Sequence, residues 1–516
     1  MNGAECLLRT LLANGVDTCF MNPGTSEMQF VSALDRVPGM RAVLCLFEGV
    51  CSGAADGYAR MTRQPAATLL HLGPGLANGL ANFHNARKAR SPVVGVVGQH
   101  STRHLRHDAP LTADIEALAR PVSGFVRTVA RAAEIGRDAS AAVAAACAAP
   151  GQVATLIVPA DFSWSEAGEP GSVLPRLPAS PPQASSVREA AAILKSGEPA
   201  GLMLGGGALL ASAFEPAAQL AAAAGVRVFG DRYAGRYQSG GGRAAPPRLP
   251  YFPEPAEAAL AGLKHLILVE SEAPVSFFGY PGRRSELAPE DCAIHVLASV
   301  REDGAAALRW LARECGVDTA PPPVPRTPKP EWPGSAALTP GTLGRVLAHL
   351  LPDDAIVSEE SVSSSEPLLR GLAAAAAHDL LPVSGGAIGQ GLPVAVGAAV
   401  ACPGRKVIAL EADGSALYTP QSLWTMARER LDVTVVILAN RRYRILEIET
   451  RRTGAGEIGP RADEMMDLTR PDLDWVKLSE GLGVEAARAA TVSEFAELFR
   501  ASVGRRGPLL IEAALE

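Results

Sequence analysis

The sequence has few aromatic residues and no long uninterrupted apolar run. Phe, Trp and Tyr make up only 5% of its 516 residues, and no window is apolar for long enough to span a bilayer. The first residues lack the basic head and apolar segment of a secretory signal peptide. The net charge of −6 gives no reason to expect nucleic acid or an anionic membrane as a partner. We therefore expect a cytoplasmic protein that acts on neither.

Two further motifs are missing, one built on cysteine and one on glycine. The eight cysteines form no Cys-x-x-Cys pair and lie largely in apolar stretches, which is typical of reduced core residues in a cytosolic protein. The run Gly205-Gly206-Gly207 follows a predicted strand, as a dinucleotide-binding loop would. Leu210, however, stands where the last glycine of Gly-x-Gly-x-x-Gly is required.

Two proline-rich stretches, residues 163–186 and 318–340, divide the chain. Such stretches do not continue helices or central strands, and they act as stiff spacers. They separate three segments of domain size, residues 1–162, 187–316 and 341–516. Since 516 residues exceed what one core normally serves, we predict three domains.

Short apolar runs alternate with helical patterns in each segment, which predicts an α/β fold with parallel sheets covered by helices on both faces. The strands predicted in the first segment are residues 18–21, 42–47, 67–71, 93–97 and 155–158. Those predicted in the smaller middle segment lie within residues 201–207, 226–229 and 265–270. Those predicted in the last segment are residues 355–357, 407–410, 433–438 and 509–513.

Oxygen-bearing side chains follow two of the strands predicted in the last segment. Asp413-Gly414-Ser415 comes after one strand and Asn440 after the next, with a predicted helix at residues 420–430 between them. Right-handed crossovers make such strands parallel, so Asp413 and Asn440 should lie at the same edge of the sheet. A carboxylate, an amide oxygen and a backbone carbonyl suit Mg²⁺, which often completes its shell with phosphate oxygens. The alternative is a plain turn at the strand end.

Asp-Gly-Ser, followed 27 positions after its Asp by Asn, resembles the thiamine diphosphate (ThDP) signature of a large superfamily. That superfamily contains acetolactate synthases, benzoylformate decarboxylases and pyruvate decarboxylases. Further matching motifs are Asn22-Pro-Gly-Thr-Ser-Glu27, Phe47-Glu48-Gly49, residues 54–60, Gly73-Pro-Gly75 with Asn78, and residues 385–393. Two positions depart from the usual pattern, which has a Gly at Ala412 and an Asn at Ala439, and neither departure removes a ligand side chain.

The resemblance implies ThDP and Mg²⁺ as cofactors. It assigns the metal to Asp413, Asn440 and the backbone at Arg442. Diphosphate contacts would come from Gly414, Ser415 and Ser363, although Ser363 could equally belong to a serine-rich linker.

The resemblance also assigns the residues that hold the thiamine part. Ile388 matches the wedge that bends the cofactor, and the Gly386 carbonyl would accept a hydrogen bond from its amino group. Glu48 matches the acid that bonds the aminopyrimidine ring nitrogen. From the residues alone, Ile388 could be a core residue and Glu48 a solvated residue at the end of the strand predicted at 42–47.

In this family Glu48 and the metal site come from different subunits, so a homodimer is the smallest competent unit, and two dimers commonly pair into a homotetramer. The middle domain of the family sometimes carries FAD. Here that domain is short and lacks recognisable Arg-bearing pockets, so we expect no FAD.

The substrate side of the implied site contains Thr25, His71 and Gln99. His71 ends the strand predicted at residues 67–71 and matches a proton-shuttling His of benzoylformate decarboxylases. Thr25 could hold the carboxylate of a 2-oxo acid or cap the following helix, and Gln99 could face the site. His100, His104 and His107 fit a solvated or substrate-facing basic loop better than a metal site.

One departure bears on the type of reaction. Benzoylformate decarboxylases have a second His after a strand of the middle domain, and residues 273–282 contain none. Without that proton donor, release of a free aldehyde slows and transfer to another electrophile becomes more plausible. We therefore expect an enzyme similar to acetolactate synthase, which decarboxylates a pyruvate-like 2-oxo acid and transfers the acyl carbanion to a carbonyl acceptor. The alternatives are an aromatic 2-oxo acid decarboxylase that releases free aldehyde, and a catalytically inactive ThDP-binding partner subunit.

Overall fold

The computed structural model describes residues 1–317 and 327–515 and contains three β-sheets flanked by helices. Residues 318–326, which begin the second predicted spacer, lie outside the described residues. Strands such as β4 (Val93–Gln99) and β6 (Val153–Pro159) are buried along their whole length. That burial explains why they consist mainly of branched apolar residues.

The first sheet has six parallel strands in the order β2-β1-β3-β4-β6-β5. Its other strands are β1 (Thr18–Asn22), β2 (Arg41–Leu44), β3 (Ala66–Leu70) and β5 (Phe125–Thr128). Its helices are α1 (Gly3–Ala13), α2 (Met28–Ala33), α3 (Glu48–Thr62), α4 (Leu72–Ala89), α5 (Ile115–Ala119), α6 (Ile135–Cys147) and α7 (Ala160–Trp164).

The middle sheet has four parallel strands in the order β11-β10-β7-β8. The elements in this part of the chain are α8 (Ala184–Ser196), β7 (Ala200–Leu204), α9 (Ala211–Ala224), β8 (Arg227–Gly230), β9 (Tyr237–Ser239), α10 (Pro253–Leu260), β10 (His265–Val269), β11 (Ala293–Ala298) and α11 (Gly304–Glu314). Strand β9 lies in the segment predicted as the middle domain but pairs with the third sheet.

The third sheet has seven strands in the order β16-β17-β15-β14-β12-β13-β9, and all are parallel except β9. Its strands are β12 (Ala355–Glu360), β13 (His378–Pro382), β14 (Val407–Ala412), β15 (Val433–Ala439), β16 (Glu485–Ala489) and β17 (Leu509–Ala514). Its helices are α12 (Pro340–Leu350), α13 (Ser365–Ala373), α14 (Gly391–Ala401), α15 (Asp413–Ala416), α16 (Gln421–Glu429), α17 (Arg444–Arg452), α18 (Pro460–Glu464), α19 (Trp475–Gly481) and α20 (Val492–Val503).

The first and third sheets share one topology. If the parallel strands of each sheet are numbered along the chain, both sheets have the spatial order 2-1-3-4-6-5. The strand order therefore reverses between β1 and β3 in one sheet and between β12 and β14 in the other. In open α/β sheets, ligands bind at such a switch point, beyond the carboxyl ends of the strands. The topology thus provides two candidate half-sites.

The first and third domains pack through α3 and α14. A Cβ added to Gly397 would lie 1.9 Å from the Ala54 carbonyl oxygen, so the two helix backbones are in direct contact. Phe83 and Val394 belong to one buried apolar cluster that spans both domains. No helix of the described residues is long and apolar enough to cross a membrane.

Four of the eight cysteines are fully buried, as predicted, and the other four are half-buried. None forms a disulfide within residues 1–317 and 327–515.

Candidate active site

The two predicted metal ligands follow neighbouring parallel strands. Strand β14 ends at Ala412 and β15 at Ala439, and Ala412 is paired with Leu438, so Asp413 and Asn440 leave the sheet at the same edge. The Asp413 carboxylate accepts hydrogen bonds from the Arg441 amide at 2.6 Å and from the Gly414 amide at 2.9 Å. Burial raises the pKa of Asp413, and these amides oppose the increase. A desolvated carboxylate of this kind favours a nearby cation.

The segment after β15 presents backbone groups to this edge. The Asn440 side-chain oxygen accepts a hydrogen bond from the Arg442 amide at 3.0 Å. The guanidinium group of Arg442 pairs with Asp463 and lies 3.5 Å from Glu447, so it is directed at neighbouring acids. Among residues 1–317 and 327–515, no group of three or more His, Cys, Asp or Glu could hold a metal. A metal bound here would therefore depend on few protein ligands.

Gly414 and Ser415 are both buried in the short helix α15. Ser363 lies half-buried in a 3₁₀ turn, Val362–Ser364, just after β12. The sequence alone left Ser363 open to interpretation as part of a linker, but this turn lies at the same sheet edge as Asp413.

The loop at residues 385–389, between β13 and α14, is held in place by side chains from α4 of the first domain. Asn85 donates to the Ala387 carbonyl at 2.8 Å, and Asn82 donates to the Gly389 carbonyl at 3.2 Å. His84 bonds the Gly385 carbonyl at 3.0 Å. The Gly386 carbonyl receives none of these bonds, so it remains available as an acceptor.

Gly386 requires the absence of a side chain for two reasons. Its φ of +78° lies in the left-handed region, and a Cβ added there would lie 2.4 Å from Cζ of Phe277. Phe277, from the segment without a second His, therefore packs directly on the loop. Ile388 is half-buried and belongs to none of the core clusters of the described residues, so the interpretation of Ile388 as a plain core residue is wrong.

Two buried glutamates lie beneath this loop on neighbouring strands. Glu360 of β12 accepts from the Gly389 amide at 2.6 Å and also from the Gly391 amide. Its register partner on β14 is Glu411, whose carboxylate is fully buried and has no hydrogen-bond partner in the part of the chain that the structure describes. Burial raises the pKa of Glu360 to about 7 and that of Glu411 well above its usual value.

Glu48 lies at the other half-site, where the predicted local structure needs correction. Strand β2 ends at Leu44, and Glu48 is the first residue of α3 rather than the residue that follows a strand. Its carboxylate is buried and accepts from Asn22 at 3.1 Å and from Asn78 at 2.9 Å. Both partners belong to the first domain. The interpretation of Glu48 as a solvated residue is therefore wrong.

The three predicted substrate residues lie at the same edge of the first sheet, with local differences. The strand predicted to end at His71 ends at Leu70, and His71 is the residue before α4. Thr25 is exposed and begins a 3₁₀ turn. The amide of Gly24, the residue before this turn, donates to the Glu27 carboxylate at 2.8 Å. Gln99 is the last residue of β4, and its side-chain oxygen accepts from the His100 amide at 2.8 Å.

Sequence reasoning missed Glu27 as a partner of His71. The Glu27 carboxylate lies 2.7 Å from Nδ1 of His71 and is almost completely buried. A Cβ on Gly24 would lie 2.4 Å from the His71 ring, and one on Gly98 would lie 1.7 Å from Oε1 of Glu27. Both glycines therefore provide the space for this pair. Burial raises the pKa of Glu27, although the charge of His71 opposes the increase.

Comparison with known proteins finds a family model for the part of the chain around each half-site. Residues 1–118 match the family model of the thiamine pyrophosphate enzyme N-terminal TPP binding domain, and residues 373–513 match that of the C-terminal TPP binding domain. Thiamine pyrophosphate is another name for ThDP. This chain is a thiamine pyrophosphate enzyme.

Relatives of this thiamine pyrophosphate enzyme are named as acetolactate synthases or as benzoylformate decarboxylases. It is 50% identical over 518 residues to a Mycobacterium tuberculosis protein named "Putative acetolactate synthase large subunit IlvX", with 100% of this chain and 99% of the relative covered. It is 29% identical to benzoylformate decarboxylase of Pseudomonas aeruginosa, with 97% and 96% covered. The structure of the ThDP-dependent 4-hydroxybenzoylformate decarboxylase of Rhodococcus jostii RHA1 matches with a TM-score of 0.85 at 26% identity, with 100% and 99% covered.

The residues at the two edges fit the cofactor and its metal. Asp413 and Asn440 offer hard oxygen donors of the kind that Mg²⁺ binds, and the hydrogen-bond partners of the buried Asp413 carboxylate among the described residues are backbone amides. The available Gly386 carbonyl and the half-buried Ile388 would hold the thiamine part, and Glu48 would reach its ring from the first domain.

In the middle domain, the glycine-rich turn of this enzyme is occupied by the chain's own carboxylate. Glu270, which follows β10, accepts from the Gly207 amide at 2.5 Å and from the Gly304 amide at 2.8 Å. Such amides, after a strand and at a helix start, are the groups that bind phosphate in dinucleotide sites. The absence of FAD stays a prediction, and Glu270 gives a physical reason for it.

Proposed function

We propose that this enzyme uses ThDP and Mg²⁺ to decarboxylate a pyruvate-like 2-oxo acid and to transfer the remaining acyl group to a carbonyl acceptor. This is the reaction type of acetolactate synthases, and the name of the relative with 50% identity supports it. When bound, ThDP supplies a nucleophilic carbon for the 2-oxo group and stores the electron pair that remains after carbon dioxide leaves.

The protein's own groups would divide the remaining work. Asp413 and Asn440 would hold the metal, and the loop containing Gly386 and Ile388 would fix the orientation of the cofactor. Glu48, held by two asparagine amides, would exchange a proton with the aminopyrimidine ring. His71, oriented by Glu27, would carry protons at the substrate, while Thr25 and Gln99 would contact its carboxylate.

The contact of Phe277 with Gly386 supports transfer over release of aldehyde. Phe277 lies against the loop that contains Gly386, and it belongs to the segment where benzoylformate decarboxylases have their second His. A phenyl ring cannot donate a proton. Its neighbours Tyr233, Tyr251 and Phe278 have ring centroids 5.6, 5.5 and 4.7 Å from its own. Without a proton donor at the position of Phe277, the intermediate would last longer, which leaves time for a second carbonyl compound to react.

The test is a screen of 2-oxo acids for release of carbon dioxide, with product masses recorded in the same reactions. The proposal expects a hydroxyketone heavier than the donor's aldehyde. Free aldehyde as the main product would contradict transfer, and an absence of carbon dioxide from every 2-oxo acid would contradict the proposed chemistry as a whole.

A homodimer would complete the site, and dimers would pair into a homotetramer. The hydrogen-bond partners of the Glu48 carboxylate lie in the first domain, and the predicted metal ligands lie in the third. Coexpression of Glu48→Gln and Asp413→Asn chains tests this arrangement, because mixed dimers would contain one intact site. Each variant alone should be inactive, and the mixture should recover about a quarter of the wild-type activity. No recovery would contradict a shared site.

A second candidate function is an aromatic 2-oxo acid decarboxylase. The cluster of Phe277 and its three aromatic neighbours favours it, because aromatic residues are scarce in this chain. The structural relative from Rhodococcus, named for 4-hydroxybenzoylformate, points the same way. Higher kcat/KM for benzoylformate than for pyruvate, with free aromatic aldehyde as product, would establish this alternative.

The inactive partner subunit remains the third possibility. The intact hydrogen bonds of Glu48 and Asp413 argue against it. A Glu48→Gln protein that matches the wild type in turnover would support it.

A further inference from the structure

Three histidines form a ladder of rings that leads away from the candidate active site. The ring centroids of His100 and His104 are 5.1 Å apart, and those of His104 and His107 are 5.7 Å apart. His104 and His107 are exposed, whereas Nε2 of His100 is buried and has no hydrogen-bond partner in residues 1–317 and 327–515. The ladder therefore connects an unpaired buried nitrogen with the surface of the chain.

The inner end of the ladder follows the strand next to the one that precedes His71. Strands β3 and β4 are neighbours with Leu70 paired to Val97, so His71 is level with Gly98, two positions before His100 in the chain. Burial lowers the pKa of His100, and the charges of His104 and His71 lower it further. A neutral imidazole in this place can accept a proton on one nitrogen and release it from the other.

Both reactions considered above require a proton from solvent. Release of an aldehyde breaks the bond between the 2-oxo carbon and its carboxylate, liberates carbon dioxide and forms a C–H bond with one proton. Coupling of two 2-oxo acids forms a C–C bond, liberates one carbon dioxide and leaves an alkoxide that takes one proton. Each turnover therefore consumes one proton, which has to be delivered to the reacting carbon or oxygen.

We propose that His107, His104 and His100 form a proton-delivery path from solvent to the pair formed by Glu27 and His71. Neighbouring rings are in contact at these centroid separations, so one water molecule beside each pair could bond a nitrogen of both rings. The path would act through His71 rather than on substrate. This inference rests on the proposed function, because only a proton-consuming reaction needs such a path.

Other groups beside the path can also affect proton movement and define the controls. Arg106 donates to Nε2 of His107 at 3.3 Å, and Asp161 accepts from Thr102 at the start of the loop. The remaining charged groups of the loop are Arg103 and Asp108. Arg103 is exposed and, among the described residues, neither donates a hydrogen bond to one of the three rings nor stacks on one, so Arg103→Gln is a matched control.

The experiment compares turnover of the wild type, His100→Gln, His104→Phe and Arg103→Gln in dilute buffer, with and without added imidazole. His104→Phe keeps an aromatic ring but cannot carry a proton. We expect His100→Gln and His104→Phe to lose about tenfold in kcat in dilute buffer, with KM little changed. Imidazole should restore much of that activity, while the wild type and Arg103→Gln should be insensitive to it.

The outcomes separate this proposal from the proposed function. If the wild type releases carbon dioxide but His104→Phe matches it in dilute buffer, the path is wrong and the function stands. A loss in both histidine variants that imidazole does not relieve, with unchanged ThDP affinity, also overturns the path. If the wild type releases no carbon dioxide from any 2-oxo acid, the proposed function fails, and the path falls with it.

Discussion

The carboxylate of Glu27 lies 2.7 Å from Nδ1 of His71, in a space left by two glycines. A buried carboxylate in this position holds the proton on Nδ1 and leaves Nε2 free to face the substrate side. The Gly24 amide donates to the same carboxylate oxygen, Oε2, so that this oxygen has two partners, whereas Oε1 has none among the described residues. The orientation of His71 is therefore set by Glu27 before substrate binds.

Glu27→Gln should lower kcat with little change in KM. The amide can either accept from or donate to Nδ1, so it no longer selects one tautomer of His71. We expect a decrease of about 10- to 100-fold, measured by steady-state kinetics. The double variant Glu27→Gln/His71→Ala should be no slower than His71→Ala, because the two residues act as one unit. If the fold-losses in kcat of the two single variants multiply in the double variant, Glu27 acts independently of His71.

Asp413→Asn should weaken ThDP binding in the presence of Mg²⁺. The change removes the negative charge at the predicted metal site but keeps the shape of the side chain. We expect about 100-fold weaker binding in isothermal titration calorimetry, which corresponds to about 2.7 kcal/mol. The matched control is Asp432→Asn, since Asp432 pairs with Lys406 at 2.7 Å at the opposite end of the same strands. Equal affinities of the two variants would rule out a metal at Asp413.

The sequence was sufficient for the parts of the site that depend on local pattern and topology. Asp413 and Asn440 follow buried apolar runs, and the crossover helix between those runs makes the strands parallel, which places both residues at one edge. Strands with weak apolar patterns were missed, among them β16, whose residues are largely alanine and charged residues at the edge of the sheet. Glu48 was placed at a strand end because the apolar run continues to Phe47. The strand stops earlier, and Leu46 is 44% exposed.

Contacts between distant parts of the chain were not predictable in this way. Glu27 and His71 are 44 positions apart, and no periodic pattern relates them. The contact of Phe277 with Gly386 depends on how the middle domain sits against the third. These contacts are products of tertiary packing, and they determine the proton chemistry and the wall of the site.

Phe277→His should shift the products from hydroxyketone towards free aldehyde. The imidazole would place a proton donor against the loop containing Gly386, where the wild type has a phenyl ring. We expect the ratio of aldehyde to hydroxyketone to rise about tenfold, determined by mass spectrometry of the products. Phe278→His is the matched control, because the neighbouring Phe278 is 49% exposed. An unchanged ratio in Phe277→His would remove the main support for a role of this wall in product choice.

Glu360→Gln should reveal that the buried carboxyl group of Glu360 makes the stability of the folded chain depend on pH. Burial raises the pKa of Glu360 to about 7 in the folded chain, against an ordinary value of 4.5. A raised pKa means that the folded state holds the proton more tightly. The contribution of Glu360 to stability is therefore complete below pH 4.5 and is lost as the pH rises to about 7.

The loss across this pH range amounts to about 3 kcal/mol for a group as deeply buried as Glu360. Thermal unfolding of wild type and Glu360→Gln at matched pH values measures it, since glutamine does not titrate. The midpoint of the wild type should fall relative to that of the variant between pH 4.5 and about 7, and the difference should level off above that range. A difference that stays constant, or that changes in favour of the wild type as pH rises, would mean that the Gly389 and Gly391 amides keep Glu360 ionised beneath the loop.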